Sequence, residues 1–393
     1  MKAELEKIVG KENVSEGEVE RLVYSQDASQ LQGEARIVVW PRSAAQVSDI
    51  VKLALKLGTD IVARGGGTSL VGGVIPGNSI VLDMSRMDRV LEVSDGGKYA
   101  LVEPGVILDD LNLRLKEKRL FFPVIPASRR VCTIGGMIST DAVGERALRY
   151  GRTGEWILSL EVVDGRGEIR TLDAKAVKEI VGTEGCVAVI TKAKLRLADA
   201  IPKRSISVFE CDDISSLTAE ASKYRKREDV LAVEYVSKIA ADLTGVGKNY
   251  TLYAEFSSDA GKINDGSEVD RIWEEREGVG AILSSKGYDV KEDPKIPLER
   301  IQEFLMWLDN HGVPSFGHIS VGIIHPRFRK GQEDKIREMF LLVEKMGGVV
   351  SGEHGIGITK REYAPKELVE RIKKLKKKYD PDGVFNRGKI CQT

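Results

Sequence analysis

Three consecutive glycines close a short apolar run in IVARGGGTSLVGG (residues 61–73), and this juncture constrains the chain more than any other stretch. A strand that ends in bare backbone can bring its N–H groups against a ligand without interference from a Cβ. Such turns make concavities for anions, and a pyrophosphate suits them. The loop is not a P-loop, because no Gly-Lys-Ser/Thr follows. It also departs from the GxGxxG dinucleotide fingerprint, since Leu70 stands where that pattern needs glycine. A second stretch, PASRRVCTIGGMISTDAVG (126–144), again combines small hydroxyl residues with a glycine pair, Gly135 and Gly136, and lacks strong periodicity. Two small-residue loops in one region are expected to hold an extended nucleotide between them.

Around these loops, apolar runs alternate with helical patterns. Ser43 as N-cap, Gln46 three residues later and Gly58 as the stop predict a helix, with Val47, Ile50, Val51, Ala54 and Leu55 at helical spacing. Short strands are expected at 61–63 and 80–83, a second helix at about 107–118, and a hairpin turned at Asp164-Gly165. A long strand over 185–197 completes an α+β unit spanning 1–200. Residues 201–345 repeat strand–helix–strand, which fits a smaller, ferredoxin-like α+β cap domain with a split βαβ order. The segment 346–393 carries SGEHGIG and the basic helix end ERIKKLKKKYD (370–380), whose lysines read as a solvated helix face.

Lys+Arg and Asp+Glu both total 60 in the 393 residues, so the chain lacks the basic excess of a nucleic-acid binder. The charged MKAELEKIVGKE start has no apolar signal region, and no run of 18 apolar residues suggests a membrane span. Cys132, Cys186, Cys211 and Cys391 match no disulfide, zinc-ribbon or iron–sulfur spacing. A cytoplasmic setting, or one peripheral to a membrane, is expected.

All four histidines fall between His311 and His354. A structural histidine has no reason to avoid the first 310 residues. His318 and His325 bound HISVGIIH, and Glu353-His354 lie inside SGEHGIG. Two imidazoles and a carboxylate suit a divalent transition metal with a position left open for substrate.

The order WPRS, RGGGTSLVGG, VEPG, PAS…TIGG, RYG and GTEG…VIT resembles the flavin domain of the vanillyl-alcohol-oxidase/p-cresol-methylhydroxylase flavoproteins. Within that family the chain is similar to the glycolate-oxidase large-subunit and D-lactate-dehydrogenase group. The resemblance implies a two-subdomain FAD-binding domain, with Arg64, Gly65, Gly66, Gly67, Thr68 and Ser69 around the pyrophosphate. It places Thr133, Gly135, Gly136, Ser139 and Thr140 beside the flavin, with Glu184, Gly185 and Ile190 further on. Members with covalent flavin often carry His where Thr68 stands, so non-covalent FAD is expected. The family motif H-x-G-D-G-N-x-H keeps its histidines and Gly322 here, while Ser320, Val321 and Ile323 replace the usual Gly, Asp and Asn. The second motif, S-x-E-H-G-x-G, is intact. By resemblance His318, His325 and Glu353 are ligands to zinc, manganese or iron, and His354 is the catalytic base. His311 has no counterpart and reads as structural. Arg276 resembles the family's substrate-carboxylate arginine, and Lys291 lies two before Asp293 as the family's lysine does. The implied activity is FAD-dependent oxidation of a D-2-hydroxy acid, of D-lactate or glycolate type, to the 2-oxo acid. Electrons would pass to an external quinone, cytochrome, flavoprotein or iron–sulfur subunit. The rival readings are a non-catalytic flavin-binding subunit of a larger complex, and a family member acting on another alcohol, alkylglycerone-phosphate-synthase-like or aryl-alcohol.

Overall fold

The computed structural model describes residues 1–96 and 98–391. The expected helix after Trp40 spans Ala44–Leu57; Ser43 caps it by accepting from the Gln46 amide at 3.3 Å, and Gly58 ends it at φ 63°. The Gln46 side chain reaches back one residue further than a capping box would, accepting from the Arg42 amide at 2.7 Å. This helix connects Glu34–Val39 to Ile61–Arg64, and both strands flank Gly77–Asp83 in a parallel arrangement edged by antiparallel Val14–Ser15. Parallel strands need such crossovers, which is why the first glycine loop lies at the end of a strand, with the crossover helix before it.

A second, antiparallel sheet runs in the order Val90–Val93, Tyr99–Val102, Ala188–Arg196, Ile157–Asp164, Ile169–Leu172. Its last pair is the hairpin expected at Asp164-Gly165, with Leu160 opposite Leu172. The third large sheet begins with Ser205–Cys211, Tyr250–Phe256 and Val230–Val236, where the strand from 250 lies between the two joined by helix Ile214–Arg225. Ser315–His318 then pairs with Val230–Val236, followed by Ile323–Phe328 and the short Val290–Lys291.

One apolar core crosses from the second sheet into the third, joining Phe122, Ile134 and Leu195 to Tyr235, Phe256 and Phe304. A separate core under the crossover helix gathers Ile50, Ile61, Ile80 and Phe385. Phe385 comes from the far end of the chain, where the Ile61 amide donates to Val384 and the Asn386 amide to Ile61 at 2.8 and 2.9 Å. Among the described residues, no helix is long and apolar enough to cross a membrane.

Candidate active site

The stretch 126–144 contains a helix, Ile134–Thr140, rather than loop throughout. Its cap explains the sequence: Thr133 accepts from the Gly136 amide at 3.3 Å, and Ser139 and Thr140 turn their hydroxyls back onto the carbonyls of Gly135 and Gly136. Hydroxyls bonded to the preceding turn leave little for period-based reading to detect. The glycine loop from Arg64 packs directly against this segment. A Cβ on Gly66 would overlap the Val131 carbonyl, so the two walls approach on bare backbone. Arg64 itself donates to Gln26 O at 2.6 Å and lies over the Tyr24 ring.

Between these walls opens a cavity of about 550 Å³, and every residue assigned above to flavin binding lines it. Its bare-backbone walls fit an extended cofactor such as FAD. Glu184 lines it with its carboxylate already engaged: the amides of Ile356 and Gly357 donate to it at 2.7 and 2.8 Å. Burial nevertheless pushes this carboxyl up to about 7, against those two amides. Gly357 has φ 49°, and a side chain there would run into the Val71 carbonyl. The SGEHGIG turn is thereby docked against Glu184 and against the glycine loop at Val71.

The same cavity is lined by Arg276, Lys291, His318, His325, Glu353 and His354, from the third sheet, its helix Gly266–Ser285 and the turn. His318, His325 and Glu353 each offer one ligand atom within 4.8 Å of the others. Glu353 Oε1 lies 3.2 Å from His325 Nε2, and Oε2 lies 3.6 Å from His318 Nε2. Burial opposes a charge on His318, yet Glu234 and Glu353 outweigh it and lift the imidazole to about 10. His325 is held well below its ordinary value, first by burial. Glu353 is held well below the carboxylate range because its histidine neighbours overcome its burial. A buried donor set of two Nε2 atoms and a carboxylate, bearing its own counter-charge, fits a divalent cation. His354 stands outside this set, its Nε2 3.4 Å from Glu353 and its Nδ1 3.4 Å from Asp293. His311 lies elsewhere, stacked on Trp307 with ring centroids 4.0 Å apart.

Residues 139–390 match the family of FAD-linked oxidases in its C-terminal domain, and residues 35–173 match an FAD-binding domain. The chain belongs to the FAD-linked oxidases. Glycolate oxidase subunit GlcD from Bacillus subtilis is 28% identical, with 99% of this chain and 96% of the relative covered. D-lactate dehydrogenase from Archaeoglobus fulgidus is 29% identical, with 91% of each covered. D-2-hydroxyglutarate dehydrogenase from Stutzerimonas stutzeri is 27% identical, with 90% of each covered. In solved structures, an alkyldihydroxyacetonephosphate synthase superposes with a TM-score of 0.72 at 18% identity, covering 98% of this chain and 83% of its own, a likeness of fold.

This FAD-linked oxidase also uses residues that sequence reasoning passed over. Glu234, fully buried on Val230–Val236, accepts from His318 Nδ1 at 2.6 Å and pairs with Arg276. A carboxylate on Nδ1 fixes the imidazole tautomer and leaves Nε2 free as a ligand. Arg276 therefore does not present a wholly free fork, although its Nε remains buried without a partner. Asp293 accepts the amides of Gly352, Glu353 and His354 at 3.0, 2.8 and 2.7 Å, and Lys360 pairs with it. Neither role leaves a local signal, because both partners lie tens of residues away in sequence.

Proposed function

We propose that this FAD-linked oxidase oxidises a D-2-hydroxy acid to the corresponding 2-oxo acid with non-covalently held FAD. The observation that carries the reading is one cavity lined jointly by the glycine loops and by the His318, His325, Glu353 and His354 cluster. Relatives named for glycolate, D-lactate and D-2-hydroxyglutarate support the substrate class.

When bound, FAD supplies a hydride acceptor, and a divalent ion held by His318, His325 and Glu353 supplies a Lewis acid that makes the substrate hydroxyl more acidic. His354 accepts the hydroxyl proton at Nε2 as the hydride leaves Cα, so the C–O bond becomes a carbonyl. The Asp293 carboxylate faces that ring, 3.4 Å from Nδ1, without a hydrogen bond to it. The cationic wall holding Arg276 and Lys291 orients the substrate carboxylate.

The organisation we propose is an FAD-binding domain over 1–200, a cap over 201–345 and a C-terminal segment over 346–393 that packs back on the first. Its cap is read as ferredoxin-like from the split βαβ at its centre, elaborated by Ser315–His318 on the strand from 230. Electrons leave to an external quinone, cytochrome, flavoprotein or iron–sulfur subunit, in a cytoplasmic or membrane-peripheral setting.

Anaerobic mixing of FAD-loaded protein with a panel of D- and L-2-hydroxy acids tests the activity directly. Bleaching of the flavin by one or more D-acids is expected, and a panel that leaves the flavin oxidised refutes the proposal. Elemental analysis of the active protein tests the ligand set. An active enzyme without stoichiometric metal would return His318 and His325 to packing roles.

A further inference from the structure

The hydroxy-acid reading covers acids with one carboxylate and acids with two, and the charges on the cavity wall separate them. Glu145 lines the cavity together with Arg276 and Glu277 of the helix Gly266–Ser285. Its backbone is fixed on both sides. A Cβ on Gly144 would run into the Ile125 carbonyl, and Arg146 clamps the fully buried Glu255 through two hydrogen bonds of 2.8 Å. Glu145 is thereby presented to the cavity by a segment with little room to turn away.

The charged groups facing Glu145 are Arg276 and Glu277 on the helix, Glu234 on the third sheet, and Arg129 and Arg146 from its own side. Each of those cations already has an acid: Arg276 pairs with Glu234, Arg129 with Glu277 at 2.5 Å, and Arg146 with Glu255. Burial, and then the charge of Glu277, accordingly push the Glu145 carboxyl up to about 8, against the pull of Arg276. The cationic side of the cavity is close to balanced as well. Beside the Arg276–Glu234 pair, Asp289 lies near enough for its charge to act on both Lys291 and Arg327. Three cations against two anions leave one positive charge, which one substrate carboxylate neutralises. A second carboxylate would find no counter-charge there and would meet Glu145 and Glu277, and like charges repel most strongly where the dielectric is low.

We propose that Glu145 is a specificity-determining residue that turns away a second carboxylate, so that the site takes monocarboxylic hydroxy acids with an uncharged tail. The assignment rests on the hydroxy-acid reading above and narrows it.

Citramalate, a hydroxy acid with two carboxylates and no hydrogen on its carbinol carbon, is one probe. The other is its neutral analogue, with an isopropyl group in place of the second carboxylate. Neither can be dehydrogenated, so each is titrated into oxidised, FAD- and metal-loaded protein while the flavin absorption is followed. At about pH 9, where Glu145 is ionised, the neutral analogue is expected to bind roughly 10- to 100-fold more tightly than either enantiomer of citramalate. The preference should shrink toward about pH 7 as Glu145 takes up its proton, both citramalate carboxylates staying ionised throughout. Glu145→Gln should bring the two affinities close together at both pH values. A merely structural role would instead weaken both probes alike and leave their ratio and its pH dependence as they were. If Glu145→Gln folds poorly, Glu145→Ala carries the comparison. Equal binding of the two probes by the wild type overturns the proposal, and so does a preference that survives in the folded Glu145 variants. Binding of neither probe would instead refute the hydroxy-acid reading itself.

Discussion

His354 is flanked at both ring nitrogens by carboxylates, Asp293 at Nδ1 and Glu353 at Nε2, each at 3.4 Å. Its neighbour in sequence joins the donor set of His318 and His325 and it does not, so in the proposed mechanism the two residues divide the chemistry. His354→Ala should keep FAD and metal yet slow flavin reduction by about 10²–10⁴-fold, the usual contribution of a general base. Stopped-flow absorbance on the metal-replete variant checks this, and wild-type reduction would remove His354 from the mechanism. Glu145, also at the cavity wall, makes a pH prediction. Burial, and then the charge of Glu277, push its carboxyl up to about 8. The native state thus holds a proton that the unfolded chain releases at the ordinary carboxylate value of about 4.3. Stability from this group is present below that value, falls as pH rises through the window, and is lost above about pH 8. The urea midpoint should therefore decline between about pH 5 and pH 9 more steeply in the wild type than in Glu145→Gln.

At the scale of elements, the turn 351–357 has no regular ladder, so side-chain acceptors from elsewhere in the chain hold it. Asp293 takes three successive amides on one oxygen, and Glu184 takes two more. Asp293→Ala would free those amides and leave Lys360 with Glu292 at 2.9 Å and the Val350 carbonyl at 3.2 Å. A loss of roughly 3–5 kcal/mol is expected, the range for removing one partner of a buried ion pair. Chemical denaturation measures it, and a change below about 1 kcal/mol would show that Asp293 is replaceable by water. Elements with their own local signals were readable in advance. The helix Ala44–Leu57 announces itself through Ser43, its apolar spacing and Gly58, whereas Ile134–Thr140 is too short and too rich in glycine and hydroxyls to show a period.

Across the whole molecule, the cofactor cavity lies where the flavin-side loops, the third sheet and the SGEHGIG turn meet. FAD binding there should stabilise the entire chain by mass action, about 2.7 kcal/mol at a hundredfold excess over Kd. Thermal melting of FAD-stripped protein should rise steadily with added FAD, and a flat response would argue against a native-state cofactor site. Acid precipitation of the holoprotein should leave yellow FAD in the supernatant, since Thr68 offers no imidazole for attachment. Flavin retained in the pellet would contradict that.

The sequence by itself determined the glycine loop, the clustering of histidines and the α+β alternation. These are properties of neighbouring residues: bare backbone, residue type at fixed spacing, and periodicity. The resemblance extended them to a flavoprotein reading of the whole chain. Only the tertiary structure decided which charges meet. Glu234 supports His318 from 84 residues away, Asp293 organises a turn 60 residues on, and Arg327 meets Lys291 across a two-residue strand pair. A side chain's partner depends on sheet register and on what burial leaves uncompensated, and neither is written in local sequence. Arg276 and Arg327 carry the same side chain and share one aromatic ring, yet one pairs with Glu234 and the other keeps buried Nε and Nη1 atoms without a hydrogen bond.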